Sequence, residues 1–329
     1  MSLFAKAEAH ANLALVKYWG KKDERLILPF NSSVSMTLKD LYTITSFRLL
    51  PGQRERKTFA IDGKPVSPKD SQRVFSYVDF LLDSFGHEGD GYEIDSHNSM
   101  PASVGLASSS SAFAALGGAV LEVVAPELDK RDISRFVRRG SGSATRSVYG
   151  GFVEWVRGDA DSGSYALPID ENPSLDLEVA FLLLSETHKK VSSRVGMRLC
   201  KETSPLFKAW VTEANEDVPS MVAAIKGSDF TAIGKIAERN AIMMHETTQT
   251  ADPPFTYLTT KTRVAIGLVE DLRKSGCECY WTLDAGPNPA ILFQKRNSAK
   301  IERMVKSKFP NATFLSTTFG PGLGIIEER

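Results

Sequence analysis

The sequence predicts an α+β chain of two lobes, and three observations carry that prediction. Short alternating runs rich in Val, Ile, Thr and Phe dominate the first hundred residues, whereas long helical patterns dominate the stretch after residue 190. Strands and helices do not alternate one for one, as a purely parallel sheet with crossover helices would require. The length, 329 residues, suits about two domains, and the turn-rich stretch DENPS at 170–174 marks the break, giving lobes of 1–173 and 174–329.

Taken in order, VSMTL (34–38), YTITSFRLL (42–50) and TFAIDG (58–63) read as strands, because apolar and polar residues alternate with period two. RVFSYVDFLLDSF (73–85) interrupts them as a helix. A second helix follows the serine run at 108–111; it carries Phe113, Leu116, Val120 and Val123 on one stripe, and Pro126 stops it. Residues 131–139 read as helix and GGFVEWV (150–156) as strand. Beyond the boundary, DLEVAFLLLSE (176–186) is a buried strand. Helices are expected at about 190–202, in pieces over 205–250, and at 257–274. The strands ECYWTLD and PAILFQ, a helix near 297–308 and the strand ATFLST complete the chain.

Composition removes several function classes. Forty basic residues balance forty acidic ones, so no global field draws the protein to nucleic acid or to an anionic membrane. The local runs KKDER (21–25) and RFVRR (135–139) read as solvated faces. No stretch approaches the ~20 apolar residues of a membrane span, and the amino terminus has no signal-peptide pattern. Three cysteines, Cys200, Cys277 and Cys279, give neither a disulfide framework nor a zinc spacing. They read as idle thiols, and a cytoplasmic location is expected. The five histidines form no cluster and read as structural or surface residues. GLGII near the carboxyl end lacks the context of a dinucleotide fingerprint.

Three stretches could carry chemistry. In GLASSSSAFAAL (105–116), a glycine and four serines open a helix. A helix start exposes unpaired N–H groups and the positive end of the dipole, so the run reads either as a plain N-cap or as a phosphate site. It is not a Walker A loop and not a nucleophile elbow. In GSGSATRSVYGG (140–151), Ser143 and Arg146 share a face if a helix begins there, and an arginine fork on a rigid element suits carboxylate or phosphate capture. The alternative is a turn with a surface arginine. In WTLDAGPNPAIL (281–292), Asp284 stands at a strand end, either facing a cleft or starting an Asx turn.

Read with ANLALVKYWGKK (11–22), the three stretches form one pattern. The runs NLALVKYWGK (12–21), GLASS (105–109), GSGSATRS (140–147), VSSRVGM (191–197) and DAGPN (284–288) fall in family order along nearly the whole chain. The chain resembles the mevalonate diphosphate decarboxylases of the GHMP kinase superfamily. KYWGK and GSGSA-x-RS are specific to that family, and the serine-rich loop is common to the superfamily. The loop SMPASVG (99–105) departs from the more usual NFPTAAG form, and Ser-Ser-Arg at 192–194 replaces Ser-Ser-Thr.

The resemblance implies a GHMP kinase-like fold: an N-terminal mixed sheet with helices, a C-terminal ferredoxin-like α+β sandwich, and an active site in the cleft between them. It implies ATP-dependent decarboxylation of mevalonate 5-diphosphate to isopentenyl diphosphate, with ATP and Mg2+ required, and a homodimer. By carry-over, Asp284 is base and charge stabiliser at the 3-hydroxyl, Arg146 holds the carboxylate with help from Asn12, and Lys17 contacts Asp284 and the transferring phosphoryl group. Tyr18, Lys21, Ser141, Ser143 and Ser192 hold the diphosphate and tail, while Gly105, Ser108 and Ser109 take the ATP phosphates. Trp19 is a wall of the site, and Lys22 stays a surface residue. The nearest alternatives are a decarboxylase acting on the 5-monophosphate, a kinase that does not decarboxylate, and a nucleotide- or RNA-binding protein without turnover.

Overall fold

Two sheets organise the chain, and the site residues collect where they meet. The computed structural model describes residues 3–99, 108–184 and 191–327. The strands and helices run in this order: β1 (Phe4–Val16), β2 (Lys21–Asp23), β3 (Leu28–Pro29), β4 (Ser33–Leu50), β5 (Lys57–Ile61), β6 (Lys64–Pro65), α1 (Pro68–Ser84), β7 (Gly91–Asn98), α2 (Ser108–Val124), α3 (Lys130–Gly140), β8 (Phe152–Trp155) and β9 (Ala166–Asp170). Then come β10 (Leu177–Leu183), α4 (Ser193–Thr203), α5 (Phe207–Lys226), α6 (Phe230–Gln249), α7 (Thr260–Lys274), β11 (Cys279–Thr282), β12 (Ala290–Gln294), α8 (Ser298–Lys308), β13 (Thr313–Thr317) and β14 (Gly324–Ile325).

The first sheet is mixed. Its strands follow the order β14-β1-β4-β7-β5-β6, with β8 and β9 branching from β4, and β5 runs parallel to β7 while the other pairs are antiparallel. β1 alternates half-buried and buried residues over its first half and is buried throughout from Ala9 to Val16. The reason is that α2 covers one part of the strand and α6 packs against it as well. The second sheet is antiparallel in the order β11-β12-β10-β13. Numbered from β10, this is the 2-3-1-4 order of a split βαβ ferredoxin-like sheet, here with four helices between its first two strands. The chain end then returns to the first lobe, where β14 pairs with β1 through Ala7 and Ile325.

Caps account for where the helices begin. Ser67 caps α1 with Pro68 at its first turn, Asp129 caps α3, Ser192 caps α4, Asp229 caps α6, and a Thr259–Thr262 capping box opens α7. Phe113, Leu116, Val120 and Val123 of α2 are all buried. One core cluster joins the lobes, with Leu13, Leu15 and Val34 of the first meeting Trp210, Met221 and Leu292 of the second.

The structure corrects the sequence reading in four places. VSMTL and YTITSFRLL are one 18-residue strand, β4, which pairs with β8 at one end and β7 at the other. β1, β7 and β9 were not expected as strands. RFVRR is not a solvated face: Arg138 is fully buried, and Arg135, Arg138 and Arg139 converge on Asp161. GLGII, left without a structural assignment by the sequence, supplies β14, an edge strand on β1.

Candidate active site

Lys17 follows directly on β1 and is only 1% exposed. The ammonium donates to the Ala14 carbonyl at 2.8 Å and to Asp284 Oδ1 at 2.6 Å. Burial pushes the lysine pKa down, and the Asp284 carboxylate pulls against that shift. The backbone of Lys17 is held on both sides: its N–H donates to Asn240 Oδ1, and its carbonyl accepts from Asn31 Nδ2, each at 2.8 Å. Asp284 lies two residues beyond β11, with its side chain about half exposed at 46%. The pair therefore joins residues 267 positions apart, one from each lobe.

Residues Gly142–Val148 form a 3-10 helix. With three residues per turn, Ser143 and Arg146 do fall on one face. Arg146 is 2% exposed; it donates to Ser33 Oγ at 2.5 Å and to Asn12 Oδ1 at 3.1 Å. Its Nε–H is buried with no partner among the described residues. Burial lowers the Arg146 pKa to about 10, opposed by the charge of Asp284. Asn12 is fully committed, since its amide also donates to the Ser143 carbonyl at 2.9 Å and Ser147 Oγ at 2.8 Å. Asn12 thus aims the arginine.

Around this centre stand the groups expected at the anionic end. The Tyr18 ring lies 4.8 Å from that of Trp155, and its buried hydroxyl has no partner among the described residues. Burial, with Glu24 nearby, holds that phenol above its usual pKa, so it remains a neutral donor. Gly142 makes room for the ring, because a Cβ there would stand 2.8 Å from a Tyr18 carbon. Gly20, with φ +114°, adopts a turn that favours glycine, and a Cβ would meet Phe207 at 2.6 Å. The turn brings Lys21 back beside Glu24 at 2.7 Å. Ser141 and Ser143 hydroxyls lie 3.4 Å apart. Ser192 is exposed and accepts the Val195 N–H as the cap of α4. Trp19 is buried with its ring edge-on to Tyr257 at 6.2 Å, a core position behind the site.

The serine run divides. Ser110 and Ser111 are buried structural groups: Ser110 accepts the Asn12 N–H at 3.4 Å, and Ser111 shares a hydrogen bond with Thr43 at 2.8 Å. Ser109 is exposed in the first turn of α2, which carries no acidic residue. The Asn12–Ser110 bond ties that helix start to the strand bearing Asn12. Ser108 begins α2, and Gly105 lies outside the described residues.

Two arginines escaped the sequence reading. Arg73 of α1 donates to the Gly140 carbonyl at 2.8 Å and stacks over Phe113 at 4.3 Å. The charge of Arg194 acts on both Arg73 and Tyr18, so the start of α4 lies on the side of the centre that carries these two residues. Arg194 carried a signal, as a departure from the usual motif; Arg73, inside an ordinary amphipathic helix, carried none. Ser33, Asn31 and Asn240 were likewise silent. The remaining residues behave as expected: Lys22 pairs with exposed Asp159, and all three cysteines are buried and free. His87 and His97 pair with Asp90 and Asp62, while His10 and His245 are buried; His188 lies outside the described residues.

The arrangement offers a half-exposed carboxylate bonded to a buried lysine, a buried arginine fork held by neutral partners, and a rim of hydroxyls and cations. Comparison with known proteins gives the family. The diphosphomevalonate decarboxylase-like N-terminal domain matches residues 9–166, and the mevalonate 5-diphosphate decarboxylase C-terminal domain matches 179–321. The chain is 33% identical to diphosphomevalonate decarboxylase of Saccharomyces cerevisiae, over 93% of this chain and 81% of that one. Its structure superposes on mevalonate diphosphate decarboxylase from Staphylococcus aureus with TM-score 0.95 at 40% identity, and on MDDEF in complex with MVAPP, AMPPCP and magnesium with TM-score 0.93 at 37% identity; each covers 99% of both chains. The helix order, the two sheets and the paired Lys17 and Asp284 thus sit in a chain that belongs to the mevalonate diphosphate decarboxylase family.

Proposed function

We propose that this protein catalyses the ATP-dependent decarboxylation of mevalonate 5-diphosphate, giving isopentenyl diphosphate, ADP, phosphate and carbon dioxide. The observation that carries the reading is the Lys17–Asp284 ion pair, with Arg146 within electrostatic range of both. MDDEF, similar over 99% of its length, binds MVAPP, AMPPCP and magnesium.

The chemistry sets the requirements. A tertiary hydroxide is a poor leaving group, so the 3-hydroxyl is first phosphorylated. Asp284 accepts the hydroxyl proton as the oxygen attacks the terminal phosphorus, and the ammonium of Lys17 offsets the charge of the moving phosphoryl group. The carbon–oxygen bond then breaks, its electron pair leaving with phosphate. The electrons of the carbon–carboxylate bond form the alkene, and carbon dioxide departs. Asp284, having passed its proton on to the departing phosphate, faces as a carboxylate the positive charge that develops at the tertiary carbon. Arg146, oriented by Asn12 and Ser33, holds the substrate carboxylate until that bond breaks.

Tyr18, Lys21, Ser141, Ser143 and Ser192 hold the diphosphate, with Lys21 exchanging Glu24 for a phosphate oxygen. Arg194 and Arg73 add positive charge at that end. A helix start with an exposed Ser109 and no acidic residue in its first turn suits nucleotide phosphates. Gly105 and Ser108 complete that loop by resemblance. Magnesium, when bound, neutralises phosphate charge; it would be held largely by phosphates and water, with Ser109 as the hydroxyl that would assist. The lobes 1–173 and 174–329, a homodimer and a cytoplasmic location are carried over from sequence and family. No described helix is long and apolar enough to cross a membrane.

The test measures ADP and carbon dioxide together, with mevalonate, its 5-phosphate and its 5-diphosphate offered in turn. One-to-one release with the 5-diphosphate is expected. Carbon dioxide from the 5-phosphate in preference would reassign the substrate, and a stable 3-phosphorylated product without carbon dioxide would make the protein a kinase.

A further inference from the structure

Helix α6 touches the main chain on either side of the Lys17–Asp284 pair. Asn240 accepts the N–H of Lys17 through Oδ1 at 2.8 Å, and its amide donates to Asp217 Oδ2 at 2.9 Å. Five residues on, about 7.5 Å along the helix axis, His245 Nε2 lies 3.1 Å from the carbonyl oxygen of Leu283. That carbonyl belongs to the peptide that leads into Asp284. Both side chains are buried, as is Asp217.

We infer that His245 is a positioning residue of the decarboxylase: its Nε2–H donates to the Leu283 carbonyl and fixes the peptide that aims the Asp284 carboxylate, while Asn240 on the same helix fixes the main chain of Lys17. The inference rests on the functional reading above. A carbonyl only accepts, so Nε2 must carry a proton. Burial lowers the imidazole pKa to about 4, with Lys17 acting in the same direction, so the ring is neutral and Nδ1 holds the lone pair. Nδ1 is buried with no partner among the described residues. Tyr257 packs edge-on to the ring at 6.1 Å and fixes its plane. His245 lies behind Asp284, donating to the adjacent peptide, and acts through it.

One consequence separates positioning from packing. The amide nitrogen of glutamine can stand where Nε2 stands, whereas that of asparagine stands nearer Nδ1 and cannot reach Leu283. His245→Gln is expected to keep kcat within about threefold of wild type, and His245→Asn to lose at least about tenfold, since a displacement of ~1 Å at a reacting group costs up to ~10²-fold. KM for both substrates should stay within about twofold in each. Equal kcat in the two variants, or a loss confined to KM, would overturn the inference. If neither variant folds, nitrogen-15 NMR of the wild-type ring decides: a protonated Nε2 with unprotonated Nδ1 from pH 6 to 8 supports the assignment, and the opposite tautomer overturns it. Wild-type enzyme is assayed alongside for ADP and carbon dioxide. Absence of carbon dioxide there defeats the decarboxylase reading, whereas carbon dioxide with equal variants defeats only the positioning role.

Discussion

Arg138 and Arg146 are both buried to within 2% of full burial, and burial lowers the pKa of each to about 10. Their partners differ. Arg138 donates to Asp161 at 2.5 Å and to the carbonyls of Leu26 and Ser164, and Arg135 reaches the same carboxylate at 2.8 Å. Its charge is answered within the chain. Arg146 donates only to a hydroxyl and an amide among the described residues, and one N–H has no partner. The carboxylate closest to it in effect, Asp284, is already bonded to Lys17. Desolvation alone therefore does not distinguish the arginine proposed for the substrate from one that serves the fold. The mark is a buried cation whose hydrogen-bonded partners are neutral, because such a charge is best compensated by an anion that arrives with the ligand.

The comparison can be broken at several points. The largest effect is expected at the acid of the functional pair. Asp284→Asn is nearly isosteric and should bind ATP and mevalonate 5-diphosphate with little change, yet lose at least ~10³-fold in turnover, because base and charge stabiliser vanish together. A variant retaining a tenth of wild-type turnover defeats the assignment. Next is Arg146→Lys, which keeps the charge and loses the planar fork. Its kcat should fall about 10²-fold, with ATP affinity retained in a direct binding titration. Near-normal turnover would show that no carboxylate is clamped there.

Arg138→Met is the matching control. It should lower unfolding free energy by about 1–3 kcal/mol in urea melts, because the carbonyls of Leu26 and Ser164 lose their buried donor. The folded enzyme should keep kcat within about threefold. A severe kcat loss with normal stability would erase the distinction between the two arginines.

A buried histidine offers a comparison of a different kind. The folded-state pKa of His245, about 4, lies below the usual 6.5, so between those values the unfolded chain binds a proton that the folded chain refuses. Stability is full above pH 6.5 and falls as the pH drops, by about 3 kcal/mol by pH 4 from this group. The charged groups acting on it are Lys17 and Asp284. Stability curves of wild type and His245→Gln should converge by that amount on acidification, and parallel curves would contradict it. The smallest effect is expected from Ser109→Ala: a drop in ATP-dependent turnover with at most ~1 kcal/mol of stability lost, the usual scale of a cap. If melting temperature falls and turnover does not, the serine serves only the helix start.

Much of this was legible before folding. The helices beginning near 131, 190 and 257 could be read from sequence, and the caps found at their starts, Asp129, Ser192 and Thr259, are local hydrogen bonds made within three residues. The period of two in β4 and the apolar stripe of α2 are equally local. The serine run was legible only in part. Its place at a helix start could be read, but not that Ser110 and Ser111 turn inward to Asn12 and Thr43. Nor could RFVRR be read as buried, since that depends on Asp161, which stands in a stretch reading as loop.

Residue order alone settles the α+β class, most helix positions and the family, and it singles out Lys17, Arg146 and Asp284 as the residues proposed for the chemistry, because each rests on periodicity, capping or contiguous motif. Three-dimensional packing was needed to show that Lys17 and Asp284 bond across 267 residues, that Asn12 and Ser33 lock Arg146, and that Asn240 and His245 brace the pair from α6. Charge and hydrogen-bonding capacity are written in residue type. Whether a charge meets water, a partner or a ligand is settled by which distant strands and helices pack around it, and burial and neighbouring charges together set the direction in which its pKa moves.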